Sequence, residues 1–584
     1  MIHTNYKVTV SHLHILSLLT ILTLCFINIR DLDHVYILND EFGYWAHAVS
    51  FVGYDWKELI SETPYYSWGY SLWLIPIVAI LPTPSLWYKA AILLNVCFLI
   101  CSYFICFKIG RKLFPSINSK IMALISMIVI IYPSNIDYSQ IAWTETLCYF
   151  LFWLETYILL RLEEEFCITF YVLSVMVALY SYSVHNRNIG ILISFIIIIT
   201  IIMIKHRVGI LSFLTLPIFL IIGYKGIDLV KLHQIESLWS SSKVSSVNNV
   251  GINSSTISSY TSRIANEMKL SFISVAGKLF YILLSFELLL PSACIAYVKE
   301  VYSSLSAKKV QHEYIVCKLW IFLSSILMLG VCSLQTNHWE SRKDVIVYSR
   351  YFENTMGPLL LLSIAYAVIY VSDRKKALVI SLSYIMISIL PIMYMSQHAS
   401  GNFNYICSPF ISVFFWINDS PIIAYTLIAV FAALLFFVYF MFCSKTKKQL
   451  SCYILLFVLL LTYFTMGLAL GNRSAYSRKG YYDETKLIRN PIIYDYPDKE
   501  LYYVKNTNVD EFSTKIKYVQ FSIPGRTIHV LLPEELPNYY GKDVIIMTNP
   551  SDALNSEYLE TIGAELIESN YLASVYYIGL VDQQ

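Results

Sequence analysis

Two adjacent carboxylates, Asp40 and Glu41, stand just beyond the first long apolar run, in the segment Asn39-Asp40-Glu41-Phe42-Gly43-Tyr44-Trp45. A carboxylate set against a hydroxyl can take its proton, and Tyr44 and Trp45 offer flat faces to a ring-shaped substrate. The segment therefore reads as a loop carrying a general base, with room for a metal or a hydrogen-bonding neighbour. The same residues would also suit a solvated loop start or a helix cap. A third acid, Glu145, follows Tyr138-Ser139-Gln140-Ile141-Ala142-Trp143-Thr144 and opens another apolar run. That puts it in the first turns of a membrane helix, where the helix N-terminus favours an anion. A capping arrangement with Ser139 or Ala142 is the other reading. Glu155, deeper in the same run, reads as a partner in an interhelical pair.

Two cationic segments complement these acids. His185-Asn186-Arg187-Asn188 lies between two apolar runs, and Arg350-Tyr351-Phe352-Glu353 lies just before another. Each arginine calls for an anion, either a lipid phosphate or one of Asp40, Glu41 and Glu145, and a planar guanidinium suits two phosphate oxygens at once. Anchoring to headgroups or a structural ion pair would explain them equally. Arg342 and Lys343 read as solvated loop charges.

The elements that must carry these residues are membrane helices. The 584 residues are 57% apolar and 14% charged, with a mean hydropathy of +0.57. A soluble domain holds roughly 25% charged and about 45–50% apolar residues, so a disordered chain, a secreted disulfide scaffold and an ordinary cytosolic enzyme are all excluded. No basic stretch is interleaved with aromatics, which leaves nucleic-acid binding without support. The 12 cysteines form no pair at zinc spacing and stop at Cys452, as buried small hydrophobes would.

A spanning helix needs roughly 20 apolar residues, and cytoplasmic loops collect Lys and Arg. By those rules the chain divides into thirteen spans near 12–29, 86–108, 120–134, 142–160, 166–183, 188–204, 208–226, 271–298, 316–335, 356–371, 376–395, 422–443 and 450–470. The first is an uncleaved span rather than a signal peptide. Trp68 to Leu81, broken by Pro76, is expected to lie at the interface or re-enter. With the N-terminus cytoplasmic, the basic clusters at Lys108–Lys112, Lys205–Arg207, Lys299–Lys318, Arg374–Lys376 and Lys445–Lys448 all fall inside. The tail then lies outside, as does the serine-rich loop Trp239 to Ser262. The fold class expected is a mainly α, polytopic transmembrane bundle over 1–471, followed by a small exoplasmic α/β domain over 472–584. That tail holds 11 Lys/Arg against 16 Asp/Glu. Strands are expected at Leu501–Val504, Tyr518–Ser522, Thr527–Leu532, Val544–Met547 and Val575–Ile578. Leu554, Tyr558, Leu559, Ile562 and Leu566 fall at helical spacing between the last two.

An Asp-Glu pair with a tyrosine three residues on, just after the first span, resembles the first-loop signature of the GT-C membrane glycosyltransferases, among them protein O-mannosyltransferases and aminoarabinose transferases. Gly110-Arg111-Lys112-Leu113-Phe114-Pro115 is similar to their first cytoplasmic loop. Tyr138 to Glu145 resembles their second exoplasmic loop, and Arg350-Tyr351 with Pro358 their arginine–tyrosine segment before a late span. The tail resembles the soluble exoplasmic domain of some members.

The resemblance implies an inverting transfer of a hexose or pentose. The sugar would pass from a polyprenyl-phosphate carrier to a glycan, lipid or protein acceptor at the outer face of a bacterial plasma membrane. In that scheme Asp40 is the base, and Glu41 and Glu145 shape the site or hold a divalent cation. Arg350 and Arg187, with His185, meet the phosphate, and Tyr44, Trp45 and Tyr351 contact sugar or acceptor. Two competing readings are a multi-span transporter or lipid-linked sugar flippase, which should show internal repeats, and a non-catalytic surface protein.

Overall fold

Apolar runs of this length satisfy their backbone polar groups in lipid only as helices, and the computed structural model follows that plan. It describes residues 9–36, 38–61, 63, 65–239, 268–306, 314–336, 343–369, 374–397, 405–415, 420–443, 448–505 and 515–579. Most of the serine-rich loop, and Arg342, lie outside these residues. The first helices are α1 (Val10–Phe26), α2 (Leu38–Phe51), α3 (Lys57–Ser61), α4 (Ser71–Ile80), α5 (Pro84–Leu113), α6 (Ser119–Ile130), α7 (Pro133–Ser139), α8 (Glu145–Glu164), α9 (Ile168–Val184), α10 (Ile189–Lys205) and α11 (Ile210–Leu238). Then come α12 (Met268–Ser285), α13 (Leu290–Ser306), α14 (Ile315–Thr336), α15 (Met356–Ile369), α16 (Arg374–Gln397), α17 (Pro409–Phe415), α18 (Pro421–Cys443) and the 47-residue α19 (Lys448–Tyr494).

Six stretches are long and apolar enough to cross a membrane: Val10–Asp31, Pro84–Leu113, Asn186–Lys205, Ile210–Leu238, Ile315–Gln335 and Leu450–Tyr494. Two bent pairs bring the number to as many as 8. The chain is thus a multi-pass membrane helix bundle of six to eight apolar spans among the described residues, against the thirteen expected. The other expected spans fall on shorter apolar helices and on α8, whose charges set it apart. Helix α4, ten residues long and so about 15 Å, is too short to cross, as its proline suggested.

Both bends are written in prolines that the apolar count passes over. The run expected as one span at 271–298 is broken by 98°, with Glu287 and Leu288 at φ of 47° and 62°. A continuous helix would drive the ring of Pro291 into the carbonyl of Glu287, so the chain turns and restarts at Leu290. Pro133 breaks the run at 120–134 in the same way, by 56°.

The C-terminal domain is a five-stranded mixed sheet of order β2-β1-β3-β5-β4, with β1 Leu501–Val504, β2 Ile528–Leu531, β3 Val544–Thr548, β4 Glu565–Ser569 and β5 Ser574–Ile578. Strand β1 pairs in parallel with β2 and β3, while β5 runs antiparallel to β3 and β4. Two expectations are corrected here. Tyr518–Ser522 is not a strand but part of helix α20 (Ile516–Ser522), every residue of which is buried. Its apolar and aromatic side chains pack on several sides at once, and this tertiary burial overrides their strand preference. Leu566 does not continue helix α21 (Ala553–Thr561); the chain turns at Gly563, φ 77°, a usual helix stop, and Leu566 enters β4. Helix α20 packs this domain onto α2 and α19, while β4 also meets α19 and β2 meets α3.

Candidate active site

The segment 39–45 is helical rather than a loop: Asp40 and Glu41 occupy the first turn of α2, where the helix dipole favours both charges. Consecutive residues on a helix point about 100° apart, and the two acids accordingly do different things. Glu41 is wholly buried. It accepts from the backbone N–H of Tyr36 (2.5 Å), the Tyr88 hydroxyl (2.6 Å) and the Ala142 N–H (2.9 Å). It therefore ties α2 to α5 and to the segment leading into α8. Asp40 faces the other way. It accepts from the Tyr66 hydroxyl at 2.9 Å and pairs with Arg350 Nη1 at 2.5 Å, its side chain remaining 22% exposed. Gly43 makes this possible, since a Cβ there would lie 2.1 Å from the Tyr66 ring.

Glu145 begins α8 and is buried. Its Oε1 accepts from both Arg187 Nη2 (2.9 Å) and Arg350 Nε (2.5 Å). Arg350 thus bridges Glu145 and Asp40, its guanidinium lying 3.9 Å from the centroid of Trp143. Its backbone N–H is held by the Cys407 carbonyl at 3.2 Å. Arg187 sits in a short 3₁₀ turn, Asn186–Asn188, with its guanidinium 4.7 Å from the Tyr351 ring centroid. Its side chain is only 1% exposed, and Nε and Nη1 have no hydrogen-bond partner. A buried guanidinium with two idle donors is costly unless an anion joins it. His185 accepts from the Arg187 backbone N–H through Nδ1 (3.2 Å) and so shapes the turn.

Asp40, Glu145, Arg187 and Arg350 are therefore one chain of alternating charge, drawn from four separate stretches of sequence. Tyr351 is half-buried beside it. Tyr44 packs edge-on against Tyr66 (5.5 Å) and Tyr70 (5.8 Å), next to the network. Trp45 is not brought there: it is fully buried against Trp87 and Phe521. Glu155, expected to be paired, is buried with neither carboxylate oxygen hydrogen-bonded. Tyr66 had no local signal to mark it. Trp143 did, standing two residues before an acid that a guanidinium must reach.

A pocket of only about 10 Å³, lined by Glu145, Arg350, Thr146, Asn135, Glu353 and Asn354 among others, touches the network. Among the described residues no group of three or more His, Cys, Asp or Glu is placed to hold a metal ion. Of the two acids expected to hold a divalent cation, Glu41 is taken up by the Tyr36, Tyr88 and Ala142 donors and Glu145 by two guanidiniums, so the side chains as arranged do not fit a metal.

No family model matches the chain, and no curated protein matches it in sequence. Solved structures do resemble it. ArnT from Cupriavidus metallidurans bound to undecaprenyl phosphate matches at a TM-score of 0.53 with 11% identity, over 96% of this chain and 97% of that one. The same protein in the apo state matches at 0.50 with 12% identity over the same shares. The arabinosyltransferase EmbB from Mycobacterium smegmatis reaches 0.40 with 12% identity, over 84% of this chain and 42% of that one. The whole-length likeness to ArnT is a likeness of fold.

Proposed function

We propose that this chain is a membrane glycosyltransferase of the GT-C type. It moves a hexose or pentose from a polyprenyl-phosphate donor to a hydroxyl on a glycan, lipid or protein acceptor, with inversion. The observation that carries the reading is the convergence of two buried guanidiniums on Glu145, one with idle donors and the other reaching a partly exposed Asp40. The ArnT fold, seen with undecaprenyl phosphate, supports the carrier class. In this scheme 1–471 is the transferase module and 472–584 an extracytoplasmic domain, with the N-terminus cytoplasmic in a bacterial plasma membrane.

The reaction follows from the charges. The acceptor oxygen bonds to the anomeric carbon from the face opposite the phosphate, and the carbon–oxygen bond to phosphate breaks. The bonding pair leaves with the polyprenyl phosphate, and the acceptor proton passes to Asp40. Arg187 and Arg350 stabilise the charge on the departing phosphate. While Arg350 holds Asp40 Oδ2, the carboxylate is engaged by the ion pair and not free to meet an acceptor hydroxyl. A donor phosphate competes for Arg350 and releases Asp40, so the donor must bind before the base is active. Glu41 and Glu145 keep the two arginines and α2 in place, with Tyr44 and Tyr351 beside the sugar.

The test is transfer from a polyprenyl-phosphate sugar by purified protein in lipid nanodiscs, wild type against Asp40→Asn. Loss of a general base costs about 10²–10⁴-fold in rate. Near-normal turnover in Asp40→Asn would remove Asp40 as the base. Donor translocation across vesicles without any transfer would point to a flippase instead. Orientation is read with a cysteine introduced at the exposed Tyr540, which should react with a membrane-impermeant reagent in intact cells.

A further inference from the structure

Helix α20 of the C-terminal domain carries a lysine in an unusual place. Lys517 is fully buried, and its ammonium donates to the side-chain amide oxygen of Asn39 at 2.8 Å. It lies 5.9 Å from the centroid of Phe42. Asn39 immediately precedes Asp40, and 478 positions separate it from Lys517. One residue further along α20, the Tyr518 hydroxyl donates to the Tyr36 carbonyl at 3.2 Å. Tyr36 in turn gives its backbone N–H to Glu41. The residues on both sides of Asp40 are thus held, directly or through one intermediate, by the same helix. Phe521 completes the wedge, its ring against His34 (5.1 Å), Trp45 (5.5 Å), Trp56, Trp87 and Tyr88. Trp56 Nε1 donates to the Pro524 carbonyl at 3.0 Å, fixing the chain just beyond α20.

Lys517 is a poor choice for stability. Burial pushes its ammonium down to about 7, and its partner is a neutral amide rather than a carboxylate. Below the unfolded value of about 10.4 the unfolded chain binds the proton more readily. The buried lysine therefore costs folding free energy at neutral pH, a cost that shrinks as the pH rises. An apolar side chain of the same length would avoid it.

Resting on the transferase reading above, we infer that the C-terminal domain is part of the catalytic unit. Lys517 is a positioning residue that sets the start of α2, and with it Asp40, through Asn39. The reach of a base toward a hydroxyl is sensitive to displacements of about 1 Å, which can cost about 10²-fold in rate. A lysine that costs stability yet holds the neighbour of the base fits that role.

The experiment compares wild type, Lys517→Met, Asn39→Leu and the double variant in nanodiscs, measuring kcat, KM, polyprenyl-phosphate affinity and melting temperature. Each single variant should lower kcat by about 10- to 100-fold, with affinity for polyprenyl phosphate and the donor KM unchanged. Lys517→Met should melt no lower than wild type, so misfolding cannot account for its loss. The double variant should be no slower than the slower single one, because both remove one contact. Near-wild-type kcat in Lys517→Met, or additive losses in the double variant, would overturn the inference while leaving the transferase reading intact. Wild-type protein with no transfer at all would overturn the transferase reading itself and this role with it. If Lys517→Met fails to fold, Asn39→Leu tests the same contact from the other side.

Discussion

The two ends of α8 hold the same kinds of residue for different purposes. Glu145 at the start and Glu163 and Glu164 at the finish are about 27 Å apart along the helix, and each acid meets cations. At the far end the acids carry the structure. Glu163 accepts from the backbone N–H groups of Val316 (3.1 Å) and Cys317 (2.7 Å), the unsatisfied start of α14, and from Lys205 at 3.2 Å. Glu164 takes Lys112 (2.5 Å), Arg161 (3.0 Å) and the Tyr314 hydroxyl (2.6 Å). The cations there remain in contact with solvent, Lys205 at 37% and Lys112 at 42% exposure. At the near end the cations are buried and one of them has donors to spare. A staple is complete as it stands; the near end leaves two guanidinium donors of Arg187 unpaired, which is where the proposed donor phosphate would fit. An arginine in a membrane protein is thus a sign of function when it is buried and unsatisfied, whatever number of ion pairs surrounds it.

The largest effect that separates the ends falls on Arg350. Arg350→Lys keeps the charge but loses the planar fork that spans Asp40 and Glu145. A charge-assisted hydrogen bond is worth about 1.5–3 kcal/mol, so affinity for polyprenyl phosphate should fall roughly tenfold to a hundredfold. Titration of the purified variant measures it. Unchanged affinity would make the near end a staple too, and erase the difference between the two ends.

Glu163→Gln should do the reverse. It leaves an amide where a carboxylate caps α14 and meets Lys205, at a cost of about 1–3 kcal/mol in stability. Polyprenyl-phosphate affinity and kcat should stay at wild-type values in the folded protein. A selective loss of donor affinity in this variant would show that the far end reaches the site.

Much of this contrast can be read from the chain, and the rest cannot, for reasons that lie in geometry. Ionisable residues among apolar runs stand out in sequence, and Asp40, Glu145, Arg187 and Arg350 do meet. Their mutual pairing follows from the cost of leaving any of them alone in a low-dielectric bundle. What sequence reading misses at 39–45 comes from treating a helix as a loop. Tyr44 is four residues from Asp40 and shares its face, while Trp45 is four from Glu41 and shares the other. Adjacent residues therefore part company, and Trp45 joins the packing around Phe521 instead of the network. The 98° break was present as Pro291 but outweighed by an unbroken apolar count. Lys517 had no signal at all: the role proposed for it depends on a contact across almost the whole chain, and the segment that follows it reads as a strand.

The smallest effect concerns the solvent-facing cations of the staple. Lys112→Ala removes one partner of Glu164, but Arg161 and the Tyr314 hydroxyl remain. Exposed ion pairs are worth about 0.2–1 kcal/mol, because water and salt screen them and two long side chains must be ordered. Melting should therefore drop only slightly, and the drop should vanish as salt is raised, since screening already removes what the mutation would. Activity should be unaffected at any salt concentration. A salt-independent loss would mean that Lys112, despite its exposure, is held as tightly as the arginines of the near end. The two ends of α8 would then differ in the identity of their ligand rather than in kind.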